Sequence, residues 1–198
     1  MVTIHLNSCA LLIIDMQEYF RAIAAPILPA MISLIQCCRQ AKLPIIYTRH
    51  AHRDPVSDGG MLANWWSELI IDGTAAAKLL PEIAPQVNEQ VILKHRYSAF
   101  FETDLQAILQ QRQIRQLIIG GVMTNLCCET TAREAFVRDY EVIFLSDGTA
   151  TSHQDYQRAT LLNLAYGFAH ILTCQELCQL ISVGVTTPLT HPLNRGNK

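Results

Sequence analysis

Cys9-Ala10-Leu11-Leu12-Ile13-Ile14-Asp15-Met16 is an apolar run interrupted only by a carboxylate near its end. Polar and apolar residues do not alternate in it, as they would in a strand with one wet face, so it reads as a strand buried on both faces. Similar segments recur along the chain: PIIYTRH (44–50), VILKH (91–95), QLIIGGV (116–122), EVIFLSD (141–147) and the short HILTC (170–174). Helix-period stretches lie between or after them, at 27–42, 104–113, 125–140, 153–169 and 175–182. In the first of these, Leu28, Met31, Leu34, Ile35 and Cys38 share one face. Buried strands alternating with helices predict an α/β domain, a mainly parallel sheet covered by helices on both sides.

Residues 52–90 break the alternation with Pro55, Asp58-Gly59-Gly60, Asp72-Gly73, Pro81 and Pro85. Short helical pieces are expected near 61–69 and 75–80, and an insertion of this length suits a lid or an oligomer contact. Residues 184–198 read as an irregular tail. No repeat or composition shift divides the chain, so residues 1–198 are read as a single domain. A length of 198 residues is enough for one well-filled core. Half of the residues are hydrophobic, 16% are charged and the net charge is −2, a balance that gives no basis for binding nucleic acid or an anionic membrane. The opening MVTIHLNS has no Lys or Arg, and the apolar run 10–14 is too short for a signal peptide. The expectation is a soluble, cytoplasmic protein. Seven cysteines, two pairs of them adjacent and none in C-x-x-C spacing, suit neither a disulfide framework nor a zinc ribbon.

In a parallel α/β sheet, ligands bind beyond the carboxyl ends of the strands. The first strand ends at Asp15, the third carries Lys94, and the fourth runs through Gly120-Gly121-Val122-Met123-Thr124-Asn125-Leu126-Cys127 into a helix. Taken singly, each has a structural reading: Asp15 as a helix cap, Lys94 as a solvated strand end, Cys127 as packing. Together they place an acid, a cation and a thiol on one sheet edge. A free thiol titrates near ~8.5, and both a helix start and a neighbouring ammonium favour its thiolate. Asp15 can take the thiol proton and return it to a leaving amine, while helix-start N–H groups hold an oxyanion.

The segment GGVMTNLCCETTAREAF (120–136) resembles the nucleophile motif G-V-x-T-x-x-C-x-x-x-T-A of the isochorismatase-like cysteine hydrolases. Asp15-Met16-Gln17 with Phe20 resembles the family's D-x-Q-x-x-F, and Lys94 to Phe100 resembles its K-x-x-x-S-A-F. The resemblance implies a three-layer, doubly wound, six-stranded parallel sheet in the order 3-2-1-4-5-6. It implies a catalytic triad of Asp15, Lys94 and Cys127. It also implies an oxyanion hole of backbone N–H groups at Val122, Met123 and Cys127, beside a non-proline cis peptide at Val122–Met123. Members commonly form dimers or tetramers, so a homo-oligomer is expected. Gln17, Phe20, Trp65, Tyr97 and Phe100, with Trp66, are candidates for the substrate pocket. Nicotinamidases of this family carry a metal motif D-x-H with a further His. Here Thr48-Arg49-His50 stands in its place without the Asp, and His50 and His52 read as solvated or hydrogen-bonded loop residues. No metal and no other cofactor is expected. Cys128 reads as packing.

These readings converge on a hydrolase that cleaves a C–N bond of a small amide or carbamoyl compound through an acyl-enzyme on Cys127. Two alternatives stand beside it. One is hydrolysis of an isochorismate-like ether by Asp15 without covalent chemistry, and the other is a catalytically idle binding protein. A dinucleotide site is excluded at the first turn, where Asp15-Met16-Gln17-Glu18 replaces any G-x-G-x-x-G.

Overall fold

Each apolar run becomes a strand in the computed structural model, which describes residues 2–185. The strands are β1 (Cys9–Ile14), β2 (Ile45–His50), β3 (Gln90–Lys94), β4 (Gln116–Val122), β5 (Glu141–Ala150) and β6 (His170–Leu172). They form one six-stranded sheet in the order β3-β2-β1-β4-β5-β6. Every neighbouring pair is parallel. The continuous hydrophobicity of β1 follows from its position: it pairs with β2 and β4, and all six of its residues are buried.

Successive residues point to opposite faces of a strand, so β1 feeds two cores. Cys9, Leu11 and Ile13 join Met31, Leu34 and Ile35 of the helix Leu28–Gln40, and Leu177 and Ile181 of the helix Cys174–Ser182. Ala10, Leu12 and Ile14 join residues of the helices Leu105–Gln111, Glu129–Val137 and Gln154–Gly167 on the other side. Three layers result. Local chemistry sets the helix starts. Pro29 occupies the first turn of Leu28–Gln40, where no N–H is missed. Thr173 and Glu176 form a reciprocal capping box at Cys174–Ser182.

Several boundaries differ from the sequence reading. Residues 124–128 form a five-residue π-helical turn before the α-helix Glu129–Val137 begins. Strand β5 continues to Ala150, past a register shift opposite Ile119 and Gly121. Residues 75–80 contain no helix. The helical turns of the insertion are Pro55–Asp58, capped by Asp54 accepting from Val56 N–H, Gly60–Trp65, and a short turn at Pro81–Ile83. The expected irregular tail lies outside the described residues from 186 onward.

The strand order reverses between β1 and β4, and a crevice opens there. Gly121 permits the close approach at that point. Its φ is +123°, and a Cβ there would lie 2.1 Å from the Ile14 carbonyl oxygen. Gly121→Ala is therefore expected to destabilise the fold by at least about 2 kcal/mol in urea unfolding. Gly167→Ala is the control. A Cβ at Gly167, in the last turn of Gln154–Gly167, meets nothing within 4 Å, so that change is expected to be neutral or stabilising by about 0.5 kcal/mol.

Candidate active site

Asp15 follows β1 directly and has φ +47°, a left-handed conformation that Asp tolerates better than most residues. The conformation turns the chain sharply, and Gln17 N–H donates to the Asp15 carbonyl at 2.8 Å. The side chain stays buried at the crevice. Thr48 of β2 holds it from the side: its hydroxyl donates to Asp15 Oδ1 at 2.6 Å and accepts from Asp15 N–H at 3.2 Å.

Lys94 ends β3, two strands away from Asp15. Strands are ~4.8 Å apart, so only a long side chain crosses β2 to reach the carboxylate. Lys94 Nζ lies 2.7 Å from Asp15 Oδ2, with both side chains fully buried. The same ammonium donates to Cys127 Sγ at 3.3 Å and to the Arg96 carbonyl at 2.9 Å. The ammonium thus has one counter-charge in contact and two hydrogen-bond acceptors. Burial alone would lower the Lys94 pKa, but the charges of Asp15 and Cys127 outweigh it and raise the value.

Cys127 sits in the π-helical turn after β4 and is 7% exposed. Burial pushes its thiol up to about 12; Lys94 pulls it down, and the Asp15 charge pushes it up again. The sequence reading, a thiolate favoured by the helix start and Lys94, thus omits the largest influence. Burial thus opposes the thiolate that Lys94 favours, and the sulfur becomes a nucleophile as it loses its proton. Cys128, beside it, is fully buried and packs with Ala132 and Leu12. The Val122–Met123 peptide is cis, and the Met123 carbonyl accepts from the N–H groups of Leu126 and Cys128.

A cavity of about 320 Å³ opens over Cys127. Phe20, Trp66, Tyr97 and Met123 line it, together with Leu62 and Leu126. Three pocket candidates lie elsewhere. Gln17 is fully buried and its amide serves the backbone, donating to the carbonyls of His50 and Ala77 and accepting from His50 N–H. Phe100 packs into the core, stacked on Tyr140 and covered by the Arg138 guanidinium. Trp65 is 74% exposed and lines only the outer mouth. Leu62, which the sequence reading passed over, completes the wall. It comes with Trp66 from the insertion, which is fastened from beside β3. Arg96 donates to the Asp58 carbonyl at 2.6 Å, and Trp66 Nε1 donates to Tyr97 Oη at 2.9 Å. Thr48, too, went unassigned, although its place one strand from Asp15 was a signal.

His50 and His52 are buried, not solvated, and His50 belongs to β2. Residues 48–50 do not fit the D-x-H metal motif, because the Thr48 hydroxyl is engaged by Asp15. Among the described residues, His52, Asp58 and His95 bring possible ligand atoms within 4.8 Å of one another. They are already engaged: His52 Nδ1 with Asp58 Oδ1 at 2.9 Å, and His95 Nδ1 with the Ala51 carbonyl at 2.6 Å. An ion about 2.0–2.2 Å from each donor would have to displace the His52–Asp58 hydrogen bond.

Removing one member of the buried ion pair leaves an unpaired charge. Lys94→Met is expected to lower stability by about 3–5 kcal/mol in denaturant unfolding, and adding Asp15→Asn to recover part of that loss. A second expectation concerns pH. The Cys127 pKa rises on folding, from 9.0 to about 12, so folding favours the neutral thiol. Its contribution is full below pH about 9 and is lost as pH climbs through the folded value. Wild type should therefore lose more stability than Cys127→Ala over that alkaline range.

Comparison with known proteins gives the family. The isochorismatase domain family matches residues 9–176. Nicotinamidase 3 of Arabidopsis thaliana is 46% identical over 171 residues, covering 85% of this chain and 86% of its own length. The ureidoacrylate amidohydrolase of Agrobacterium fabrum is 30% identical over 166 residues, covering 75% of this chain and 73% of its own. A solved cysteine hydrolase from Pseudomonas syringae pv. phaseolicola superposes with a TM-score of 0.89 at 30% identity, covering 92% of this chain and 96% of that one. Fold, motif order and similarity over most of the sequence lead to one result: the chain belongs to the isochorismatase domain family of hydrolases.

Proposed function

We propose that this protein hydrolyses the C–N bond of a small carboxamide or carbamoyl compound through a Cys127 acyl-enzyme. The observation that carries the reading is the Lys94 ammonium, in contact with both the Asp15 carboxylate and the Cys127 sulfur in a buried site. Similarity to a nicotinamidase and to an amidohydrolase supports the C–N class of bond.

The steps follow from the charges. Asp15 accepts the Cys127 proton as the sulfur attacks the carbonyl carbon. Lys94 lies beside both groups and stabilises the charge on each in turn. The tetrahedral oxyanion faces the backbone N–H groups of Met123 and Cys127, and a single donor of this kind contributes about 3–4 kcal/mol to the transition state. Asp15 then returns the proton to the departing nitrogen, and ammonia or an amine leaves. Water, deprotonated by Asp15, attacks the thioester; the C–S bond breaks, the acid leaves and Asp15 returns the proton to the Cys127 sulfur. A mostly apolar cavity of about 320 Å³ suits a compact, flat substrate.

The test is ammonia release from a panel of small carboxamides and carbamoyl compounds. Wild type should turn over at least one of them, with an acyl adduct on Cys127 detected by mass spectrometry after acid quench. Cys127→Ala should lose at least about 10³-fold in kcat/KM while keeping its far-UV circular dichroism. Undiminished turnover by the alanine variant would falsify covalent catalysis by this sulfur.

A further inference from the structure

The π-helical turn 124–128 carries Cys127, and both its ends are tied to polar groups that the catalytic steps do not use. A π turn is wound less tightly than an α-helix and stands as a single turn, so its place depends on what holds its ends. Thr124, its first residue, is fully buried, and its hydroxyl donates to Gln157 Oε1 at 2.5 Å. Asn125 Oδ1 accepts from the Thr151 hydroxyl at 2.6 Å. Just past the turn, Glu129 Oε2 accepts from the Thr160 hydroxyl at 2.6 Å. The three partners belong to one stretch, 151–160, which runs from the end of β5 into the helix Gln154–Gly167. Between the ties stand Leu126 and Cys127, both on the cavity wall.

Gln157 is the hub of this arrangement. Its Nε2 lies 3.2 Å from the carbonyl oxygens of Ser146 and Thr149 and from the Thr149 hydroxyl. That hydroxyl directs its own proton to the Leu145 carbonyl at 2.7 Å, so it accepts from Gln157. Carbonyls only accept, which fixes the amide: nitrogen toward β5, oxygen toward the turn, and Thr124 as the donor to it. The acceptors stand where β5 bulges. Phe144 pairs with Ile119 and Thr149 with Gly121, so residues 145–148 stand opposite Gly120 alone. Bulges beside active sites re-aim groups of the strand, and this one brings two carbonyls onto one glutamine.

We propose that Gln157 is a positioning residue for the nucleophile, holding the 124–128 turn through Thr124 so that the Cys127 sulfur stays in contact with the Lys94 ammonium. The inference rests on the reading of Cys127 as the nucleophile and deepens it. Gln157 stands behind the turn, outside the cavity wall, so its influence on the sulfur passes through Thr124. With that tie cut, the turn is loose at its leading end, and the 3.3 Å contact between Lys94 and Cys127 loosens with it. Lys94 favours the thiolate, so a sulfur that drifts from the ammonium ionises less readily and reacts more slowly.

The test is alkylation of Cys127 by iodoacetamide at mildly alkaline pH, followed peptide by peptide by mass spectrometry. Half-buried Cys37, on the helix Leu28–Gln40, is the internal control. Gln157→Leu should slow Cys127 at least about fivefold and change Cys37 by less than about twofold. Thr124→Val should slow Cys127 as much, while Thr124→Ser, which keeps the hydroxyl, should stay within about twofold of wild type. This pair decides the matter if Gln157→Leu fails to fold. The double variant Gln157→Leu, Thr124→Val should be no slower than either single one, because the two side chains act as a unit. On a carboxamide that wild type turns over, Gln157→Leu should lose kcat at least about tenfold with KM changed less than about threefold. Cys127 alkylation at the wild-type rate or faster in Gln157→Leu overturns the assignment. So does a Cys37 rate that falls in step with it, additive slowing in the double variant, Thr124→Ser as slow as Thr124→Val, or an undiminished kcat. Failure of the amide-hydrolase reading shows separately, as a wild type that turns over nothing in the panel whatever its alkylation rates.

Discussion

A lysine ammonium sealed in the protein interior needs hydrogen-bond acceptors and an opposite charge in contact. Lys94 finds the charge in Asp15 and the acceptors in Cys127 and the Arg96 carbonyl. Much else is arranged to meet them. β2 has to present a small side chain beside Asp15, and Thr48 does so while bonding its other carboxylate oxygen. β1 has to stop at Asp15 and turn sharply. β4 has to approach β1 closely enough to bring the 124–128 turn alongside. The pair is therefore a geometric constraint on four adjacent strands more than a source of stability, since burying two charges consumes most of their mutual attraction.

The strands were legible in the sequence because burial on both faces leaves little room for polar residues, and unbroken apolar runs are the direct trace of that. The reacting groups were legible for a related reason: each stands at the carboxyl end of such a run. The pocket wall was far less so. Gln17, Phe100 and Trp65 have the chemistry of a binding site, but the chain path between strands decides which way each faces, and no periodicity encodes it. Gln17 turned out to brace His50, and Phe100 to fill the core. The 124–128 turn was read as ordinary helix because one extra residue per turn leaves no mark on composition.

The other cysteines show why position matters more than residue type. Cys9, Cys38, Cys128 and Cys174 are buried with thiols pushed upward chiefly by burial, and they behave as small hydrophobes. Cys127 is buried too, but it alone among the described cysteines has an ammonium as a hydrogen-bond donor and borders the cavity. Its chemistry comes from these neighbours.

One arrangement bears on how such a protein diversifies. Asp15, Lys94 and Cys127 stand on or beside strand ends that the sheet fixes, whereas Leu62 and Trp66 arrive on a separate excursion of the chain, fastened by Arg96 and Tyr97. Part of the pocket wall is thus written in a stretch of the gene apart from the reacting groups. A lineage can rewrite the excursion and acquire a new diet while the inherited reaction passes on intact.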